Sequence, residues 1–416
     1  MSVSLARWTR RLLGLFCLAL APLSVGAQQG QAVRIAFIDP LSGPAADIGH
    51  NSLKSWQFVA QRLNDSEDRT GVRFVIAGFD NKGSPRESLN VLKAAIDQGF
   101  RYVVQGNGSG VTAALSDAIT RHNQRLPHKS VLLLNYAAMD PALTSEKCSF
   151  WHFRIEPDTA MKMRALMLFL EQQPEIRKVY LLNQNYAHGQ QFSRFFREAV
   201  AASRLPIEVV GDEFHAPFLV RDFKPQVDRI RASGAQALVT GNWGSDMVNL
   251  VRSLQAQKST LPLLAYYPAL KGVPTELAAG TVGFPVYQVA QTHSNTGGEL
   301  GRVAAAFRVR HGEDFVVSSS HDGLVMLRDA MVRARSIEPL AVARALSGWG
   351  FEGANGPVTL RAEDHQLQAG LFVSRWQKTD ARFPIAAEAT GHTFAPVMAI
   401  NAAQIARPSA CQMERP

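Results

Sequence analysis

The chain has 416 residues, of which 46% are apolar and 19% are charged. This length and composition are typical of a globular protein that is long enough to form two lobes, each with a core of its own. The formal net charge is +9, but no basic stripe is interleaved with aromatic residues, which argues against a nucleic-acid partner.

Residues 1–27 have the pattern of an export signal. Basic residues precede an apolar run at 12–20, and the small residues at 25–27 suit a cleavage site. We therefore expect a mature chain that begins near Gln28, and the loss of three arginines and no acids would lower the formal charge from +9 to +6. A large residue precedes Cys17, which argues against lipidation. No later run approaches the roughly 18 apolar residues of a membrane span, so we expect an exported, soluble protein.

Two cysteines, Cys148 and Cys411, would remain after the signal is removed. An even number of cysteines in an oxidising compartment favours a disulfide, which would tie the C-terminal tail back to the body of the protein. The alternative is two unpaired thiols.

Short apolar runs alternate with helical patterns in the first part of the mature chain. Four strands are predicted, at residues 33–39, 72–77, 101–105 and 131–135. A helical spacing of apolar residues follows the first strand, and Ser84 begins a capping box that has proline at the first helical position. This alternation predicts a parallel sheet with helices on both faces.

The same pattern then starts again. The second series of predicted strands covers residues 179–183, 207–211, 237–240 and 261–266. The third strand in each series ends in a glycine-rich turn, which predicts two similar α/β lobes that face each other. Later residues predict helices at 299–310 and 323–335, antiparallel strands at 356–360 and 370–376, and a tail rich in alanine, threonine and proline.

The turn at residues 106–110, GNGSG, lies between a buried strand and a helix. Glycines at this density permit a tight turn and a close approach of a ligand, and Ser109 is a suitable N-cap for the helix. Free backbone N–H groups and the positive end of the helix dipole would then form an anion site. An ordinary strand-to-helix turn explains the same residues.

Motifs for catalysis and cofactors are missing. The glycines run G-x-G-x-G and the next strand ends at Asn135 rather than an acid, which argues against a dinucleotide. No phosphate-binding loop occurs, and Asn107 breaks a G-x-S-x-G pattern. The histidines His188, His215, His311 and His321 have no acids at metal-ligand spacing. We therefore expect no metal, no cofactor and no enzymatic activity.

Four aromatic residues lie where predicted strands of the second series end. They are Tyr186, Trp243, Tyr266 and Tyr267. Ligands of open α/β sheets bind at the carboxyl ends of the strands, so these residues favour a binding cleft between the lobes. Each of them could equally serve ordinary packing.

The chain resembles the exported solute-binding proteins of ABC importers, in the branched-chain amino acid and amide branch. The order and spacing of six segments carry the resemblance, which covers nearly all of the mature chain. The segments are IAFIDPLSGPAADIG at 35–49, FDNKGSP at 79–85, GNGSGVTAALSDAI at 106–119, NYAAMDPALT at 135–144, FWHFRIEPD at 150–158 and NQNYAHGQ at 183–190.

The resemblance implies a type I periplasmic binding fold, in which two Rossmann-like lobes are joined by a hinge of three crossing strands and hold the ligand between them. The lobes would comprise residues 28–153 plus 284–356 and residues 154–283 plus 357–416. It also implies a periplasmic monomer that delivers a small molecule to ABC permease subunits. A freestanding sensor that presents its closed form to a receptor is the alternative.

The resemblance further implies the residues of the ligand site. Ser109 would hold a ligand carboxylate, and the backbone of Ala137 and Ala138 would contact the ligand. The complete set of implied binding residues is Asn107, Ser109, Ala137, Ala138, Met139, Tyr186, Trp243, Tyr266 and Tyr267.

Three positions depart from the family pattern. Met139 stands where a threonine is usual, Ile48 replaces an aromatic residue, and the segment after Tyr266 lacks the acid that binds an α-amino group. No acid follows before Glu276, and Asp246 falls inside a predicted helix. Because an unpaired buried ammonium is costly, this favours a carboxylate or amide with an apolar or aromatic body over a leucine-type amino acid.

Overall fold

The computed structural model describes residues 31–66, 71–280, 283–353 and 356–416. The predicted export signal at residues 1–27 and the expected start of the mature chain lie outside these ranges. In the described ranges, no helix combines the length and the apolar character that a membrane span requires.

The strands are β1 Gln31–Asp39, β2 Val72–Asp80, β3 Tyr102–Gln105, β4 Leu132–Asn135, β5 His152–Arg154, β6 Lys178–Gln184, β7 Glu208–His215, β8 Ala237–Thr240, β9 Leu263–Ala265, β10 Val286–Ala290, β11 Gly350–Gly353, β12 Gly356–Leu360, β13 Leu367–Gln368, β14 Leu371–Lys378 and β15 His392–Ile400.

The α-helices are α1 Ala46–Asp65, α2 Pro85–Asp97, α3 Ser109–Arg125, α4 Thr159–Leu170, α5 Ala187–Ser203, α6 Lys224–Ala232, α7 Ser245–Ala256, α8 Val273–Ala279, α9 Gly298–His311, α10 Ser319–Ala334, α11 Pro339–Leu346 and α12 Ala402–Ile405. Short 3₁₀ helices cover Pro127–Lys129, Pro141–Thr144 and Ala387–Ala389.

The first lobe is built on a five-stranded sheet with the order β2-β1-β3-β4-β5, in which every neighbouring pair is parallel. All residues of β3 and β4 are buried, as continuous apolar strands covered on both faces should be. Helices α1, α9, α10 and α11 contribute to the core of this lobe through residues such as Trp56, Phe307, Leu324 and Val342. The predicted α/β architecture with a parallel-sheet core is confirmed.

The second lobe is built on a seven-stranded sheet with the order β15-β14-β10-β9-β8-β6-β7. Strands β6 to β10 pair in parallel, and β14 and β15 are antiparallel. Along β6, Val179 and Leu181 enter one core, whereas Tyr180 and Leu182 enter the other. Side chains alternate across a strand, so this sheet is packed with helices on both faces. Strand β15 lies in the tail, where the sequence predicted no strand.

The chain crosses between the lobes three times: after Arg154, after Ala290, and between Gln368 and Leu371. This number agrees with the predicted hinge of three crossing strands.

The predicted lobe boundaries differ from the pairing in two places. Strand β10, which the prediction assigned to the first lobe, pairs with β9 and β14 in the second sheet. It can do so because it continues the parallel order of that sheet. Val358 and Leu367, which the prediction assigned to the second lobe, belong to the first core. The third crossing therefore follows these residues instead of preceding them.

Arg154 connects the first crossing with the segment that leads into the third. Its side chain is fully buried, and its backbone N–H donates to the carbonyl of His365 at 3.0 Å. The guanidinium donates to the side chains of Gln366 and Thr144, to the carbonyl of Asp140 and to Asp158 Oδ2 at 3.1 Å. Asp158 also accepts from the backbone N–H of Met161 at 2.8 Å and so caps α4. A buried charge with this many partners holds the crossings in one arrangement.

The C-terminal tail returns to the first lobe. Met413 packs against the first core, and the sulfur atoms of Cys148 and Cys411 lie at bonding distance, 2.01 Å. Arg415 donates to the carbonyl of Ala362. The sequence predicted this pairing of the cysteines.

We predict that Cys148 and Cys411 are linked in the exported protein. The link would close a separation of 263 residues, for which chain entropy gives an upper stabilisation of roughly 4–5 kcal/mol. Peptide mapping without reductant should recover the two cysteine peptides joined, and replacing both cysteines with alanine should lower the free energy of unfolding in urea. Two free thiols in protein isolated from the periplasm would contradict the prediction.

Candidate functional site

A cavity of about 200 Å³ lies between the two lobes. Its walls come from the carboxyl ends of strands in both sheets, from the first two crossings and from neighbouring helices. All nine residues that the sequence analysis implicated in binding line it: Asn107, Ser109, Ala137, Ala138, Met139, Tyr186, Trp243, Tyr266 and Tyr267. The structure therefore brings together residues that are up to 160 positions apart in the chain, and their roles in binding remain predictions.

The glycine-rich turn of the first lobe requires glycine at two positions. A Cβ atom on Gly106 would lie 2.7 Å from the ring of Tyr136, so only glycine fits there. Gly108 has a φ of 102° and is the N-cap of α3, a conformation that residues with side chains rarely adopt. Ser109 is instead the first residue of the helix, so the prediction that Ser109 is the N-cap is wrong.

Ser109 is nevertheless placed to contact a ligand. It is buried and lines the cavity, and in the described part of the chain no group is hydrogen-bonded to its hydroxyl. Within the described residues, the backbone N–H groups of Ser109 and Gly110 have no acceptor, as expected for the first residues of an α-helix, whereas that of Val111 donates to the carbonyl of Gly108 at 3.0 Å. The helix dipole adds positive potential at this end. The physical reasons for predicting an anion site here therefore still apply, and the hydroxyl of Ser109 does not cap the helix.

Asp39, at the end of β1, supports this turn from below. Its Oδ1 accepts from the backbone N–H of Asn107 at 2.9 Å and from Gln105 Nε2 at 3.1 Å, and its Oδ2 accepts from the hydroxyl of Tyr136. Asn107 Nδ2 donates to the same hydroxyl at 3.0 Å. Burial raises the pKa of Asp39 to about 6, against the opposing effect of these hydrogen bonds. Asp39 was not among the residues predicted from the sequence, although it ends the first predicted strand.

Asn135 organises the next segment of the cavity wall. Its Oδ1 accepts from the N–H of Ala137 at 3.2 Å and from that of Ala138 at 2.8 Å, and its Nδ2 donates to the carbonyl of Ala138 at 2.9 Å. Both backbone polar groups of Ala138 thus have a partner in the protein. The carbonyl of Met139 accepts from the N–H of Thr159 at 3.0 Å, which joins this segment to α4.

The second lobe contributes an aromatic wall. Trp243 Nε1 donates to the hydroxyl of Tyr186 at 2.7 Å, so the Tyr186 proton can be donated to a ligand. The rings of His188 and Tyr267 pack edge to face, with their centroids 5.8 Å apart. Burial raises the pKa of Tyr186 and Tyr267 and lowers the pKa of His188 to about 4. All three side chains are therefore neutral near pH 7.

An ion pair that the sequence analysis missed also lines the cavity. Lys162 Nζ lies 2.6 Å from Glu156 Oε1 and 5.3 Å from the centroid of the Tyr266 ring. Lys162 lies on α4, away from any strand end. Glu156 lies two residues after the end of β5, a strand of three residues that the sequence did not predict, so the position of Glu156 at a strand end could not be recognised. The only signal was the segment FWHFRIEPD, which contains Glu156.

Asp246, considered as an acid for the site, is fully buried at the start of α7. Its Oδ2 accepts from Gln184 Nε2 and from the backbone N–H of Phe218, each at 2.7 Å, so it supports the fold. Among the described residues, no cluster of three or more histidines, cysteines or acids could hold a metal ion.

Comparisons with known proteins agree on one family. The model of a periplasmic binding protein family matches residues 32–381. The Leu/Ile/Val-binding protein homolog 4 of Brucella abortus (strain 2308) is 25% identical, and the match covers 97% of this chain and 98% of the relative. The leucine-, isoleucine-, valine-, threonine-, and alanine-binding protein of Pseudomonas aeruginosa is 19% identical over 90% of this chain and 98% of the relative.

Solved structures share the fold. The closed conformation of the leucine-, isoleucine-, valine-, threonine-, and alanine-binding protein from Brucella ovis matches with a TM-score of 0.81 and 24% identity, over 93% of this chain and 100% of that one. A solute-binding protein of an ABC transporter from Rhodopseudomonas palustris HaA2, in complex with p-hydroxybenzoic acid, matches with a TM-score of 0.74 and 16% identity, over 89% and 98%.

The buried carboxyl of Asp39 predicts a specific pH dependence. Its pKa is about 6 in the folded protein, above the ordinary 3.8. The folded state therefore binds the proton more tightly than the unfolded state does, so protonation of Asp39 stabilises the fold. This contribution to the free energy of unfolding is complete below about pH 4 and is lost as the pH rises through about 6. The free energy of unfolding of the wild type relative to Asp39→Asn should fall between pH 4.5 and pH 7 in urea titrations.

Asp80→Asn is the matched control. Asp80 ends the neighbouring strand, and hydrogen bonds from Ser42 and nearby backbone N–H groups hold its pKa below the ordinary value despite partial burial. It is ionised throughout this pH range, so the difference from the wild type should stay flat. An Asp39→Asn difference that is equally flat would contradict the assignment of this titration to Asp39.

Proposed function

The chain belongs to the periplasmic binding protein family, and on that premise we propose that it is the substrate-binding component of an ABC transporter. It binds a small solute that contains a carboxylate or an amide, in the cavity between its lobes, and delivers the solute to the membrane permease. The family is one of solute-binding transport proteins and not of enzymes. The family and the predicted export signal support a periplasmic location, and the resemblance supports a monomer.

The observation that carries this proposal is the start of α3 in the cavity wall. Ser109 offers a hydroxyl with no partner in the described protein, beside first-turn N–H groups and the positive end of a helix of 17 residues. An anion at such a site gains charge-assisted hydrogen bonds. A carboxylate is therefore the group that this end of the cavity suits best, and an amide oxygen would be a weaker ligand for the same donors.

The rest of the cavity suits a body with apolar or aromatic character. Tyr186, Trp243, Tyr266 and Tyr267 line it, and aromatic rings pack well against aliphatic or aromatic groups. Relatives named for leucine, isoleucine and valine and a structural neighbour bound to p-hydroxybenzoic acid support the same two solute classes, a branched-chain amino acid or an aromatic acid.

Calorimetric titration of the protein, unfolded, stripped of ligand and refolded, tests the proposal. The panel should hold leucine, 4-methylpentanoate, benzoate, 4-hydroxybenzoate and a small aliphatic amide. We expect heat of binding with at least one acid and a matching rise in melting temperature, because a ligand that binds only the folded state stabilises it. No heat and no thermal shift with any compound would contradict the proposed function.

Ser109→Ala tests the anion site itself. The variant loses the hydroxyl but keeps the backbone N–H groups, so we expect binding of the best acid to weaken by about 1–2 kcal/mol, the scale of one hydrogen bond to a charged group. Ser116→Ala, a change of another buried serine of α3 that does not line the cavity, should bind like the wild type. Equal affinities for Ser109→Ala and the wild type would place the carboxylate elsewhere.

A further inference from the structure

The cavity has a second polar end, formed by Glu156 and Lys162. Their side chains come from the first crossing and from α4, and both line the cavity. The side chain of Lys162 is 3% exposed and that of Glu156 is 17% exposed. A lysine this deeply buried is rare unless it is paired, so we regard the ion pair as a fixed part of the cavity wall.

Glu156 retains an unused acceptor. Lys162 Nζ binds Oε1 at 2.6 Å, and within the described residues no donor is hydrogen-bonded to Oε2. An ionised carboxylate can accept hydrogen bonds on both oxygens. The remaining oxygen is therefore available to a donor that enters the cavity.

The other acid in the cavity wall is already satisfied. Asp314 Oδ1 accepts from Arg308 Nε at 2.9 Å, and Asp314 Oδ2 accepts from the backbone N–H of Glu388 at 2.7 Å. Of the acids that line the cavity in the described part of the chain, Glu156 alone has a carboxylate oxygen without a protein donor.

We propose that Glu156 binds an ammonium group of the solute, so that the solute is a zwitterion whose carboxylate lies at the start of α3. This inference rests on the proposed function and narrows it to amino acids. Glu156 thus supplies the acid that the segment after Tyr266 lacks, from a different part of the chain.

The charges around the cavity favour a zwitterion. Lys162 neutralises Glu156, and Arg308 neutralises Asp314. The carboxylate of Asp39 lies beneath the turn that would hold the ligand anion. A ligand carrying only a carboxylate would add an unbalanced negative charge beside these ion pairs, whereas an amino acid adds none, and unbalanced charge is costly where groups are partly shielded from water.

Lys162 acts on the solute through Glu156. Its ammonium binds one oxygen of the carboxylate. Lys162 Nζ also lies 5.3 Å from the ring centroid of Tyr266 and 6.0 Å from that of Tyr267. A carboxylate held in this way loses little side-chain freedom when a ligand binds. Lys162 is therefore a positioning residue.

The test compares amino acids with their des-amino analogues. Calorimetry on the refolded mature protein should use leucine against 4-methylpentanoate and phenylalanine against 3-phenylpropanoate, so that only the ammonium changes within a pair. For the pair that fits the cavity, we expect the amino acid to bind the wild type at least about tenfold more tightly, or about 1.4 kcal/mol.

Glu156→Gln should abolish this preference, because the variant keeps the size of the side chain and loses its charge. The des-amino acid should bind at least as tightly as it binds the wild type, because the unpaired charge of Lys162 then offsets the ligand carboxylate. Glu276→Gln is the matched control, since Glu276 is 15% exposed, is paired with Arg252 and does not line the cavity. It should keep the preference of the wild type.

Glu156→Gln leaves Lys162 buried without its partner and could unfold the protein. The double variant Glu156→Gln/Lys162→Gln removes both charges and should likewise lose the preference. If des-amino and amino acids bind the wild type equally, or if the preference survives in a folded variant, the inference about Glu156 is wrong and the proposed function stands. If no acid of either pair or of the wider panel binds, the proposed function is wrong, and so is the inference that rests on it.

Discussion

The buried guanidinium of Arg154 is the contact on which the joint between the lobes depends. It lies at the last residue of β5 and contacts the segment that leads into the third crossing through Gln366, the segment before β5 through Asp140 and Thr144, and the first crossing through Asp158. A buried charge is stabilising only when its surroundings satisfy it, and breaking such a pair costs about 3–5 kcal/mol. The first crossing and the segment that leads into the third therefore hold a fixed position relative to each other. The two sheets present their carboxyl ends to the same cavity.

The binding site inherits its geometry from this joint. Asp158, one partner of Arg154, also caps α4, and the short segment between Arg154 and α4 carries Glu156. Lys162 lies one turn into the same helix. On the opposite side, Asp39 fixes the turn before α3. The cavity thus has an anion site at the start of α3 and an ion pair at the start of α4, which Asp158 caps. Aromatic rings also line the cavity.

Local patterns predicted most of the fold but only part of the site. Short apolar runs and capping signals predicted four parallel strands of each lobe and the helices between them, because those signals are local. They did not predict β5 or β10. They gave no account of β15, which forms by pairing with β14, or of the crossing that places β10 in the second sheet. The four aromatic residues lie at the ends of predicted strands, where position indicates a cleft, whereas Ala137, Ala138 and Met139 were implied only by the family resemblance. Glu156 and Lys162 enter the cavity only through the path of the first crossing, which no local pattern encodes.

A crystal structure of the protein with the most tightly bound acid of the panel tests the central claim most directly. The account predicts that the carboxylate oxygens lie at hydrogen-bond distance, about 2.7–3.2 Å, from the hydroxyl of Ser109 and from first-turn N–H groups of α3. A ligand whose carboxylate points away from α3, or one that binds outside the cavity between the lobes, would contradict it.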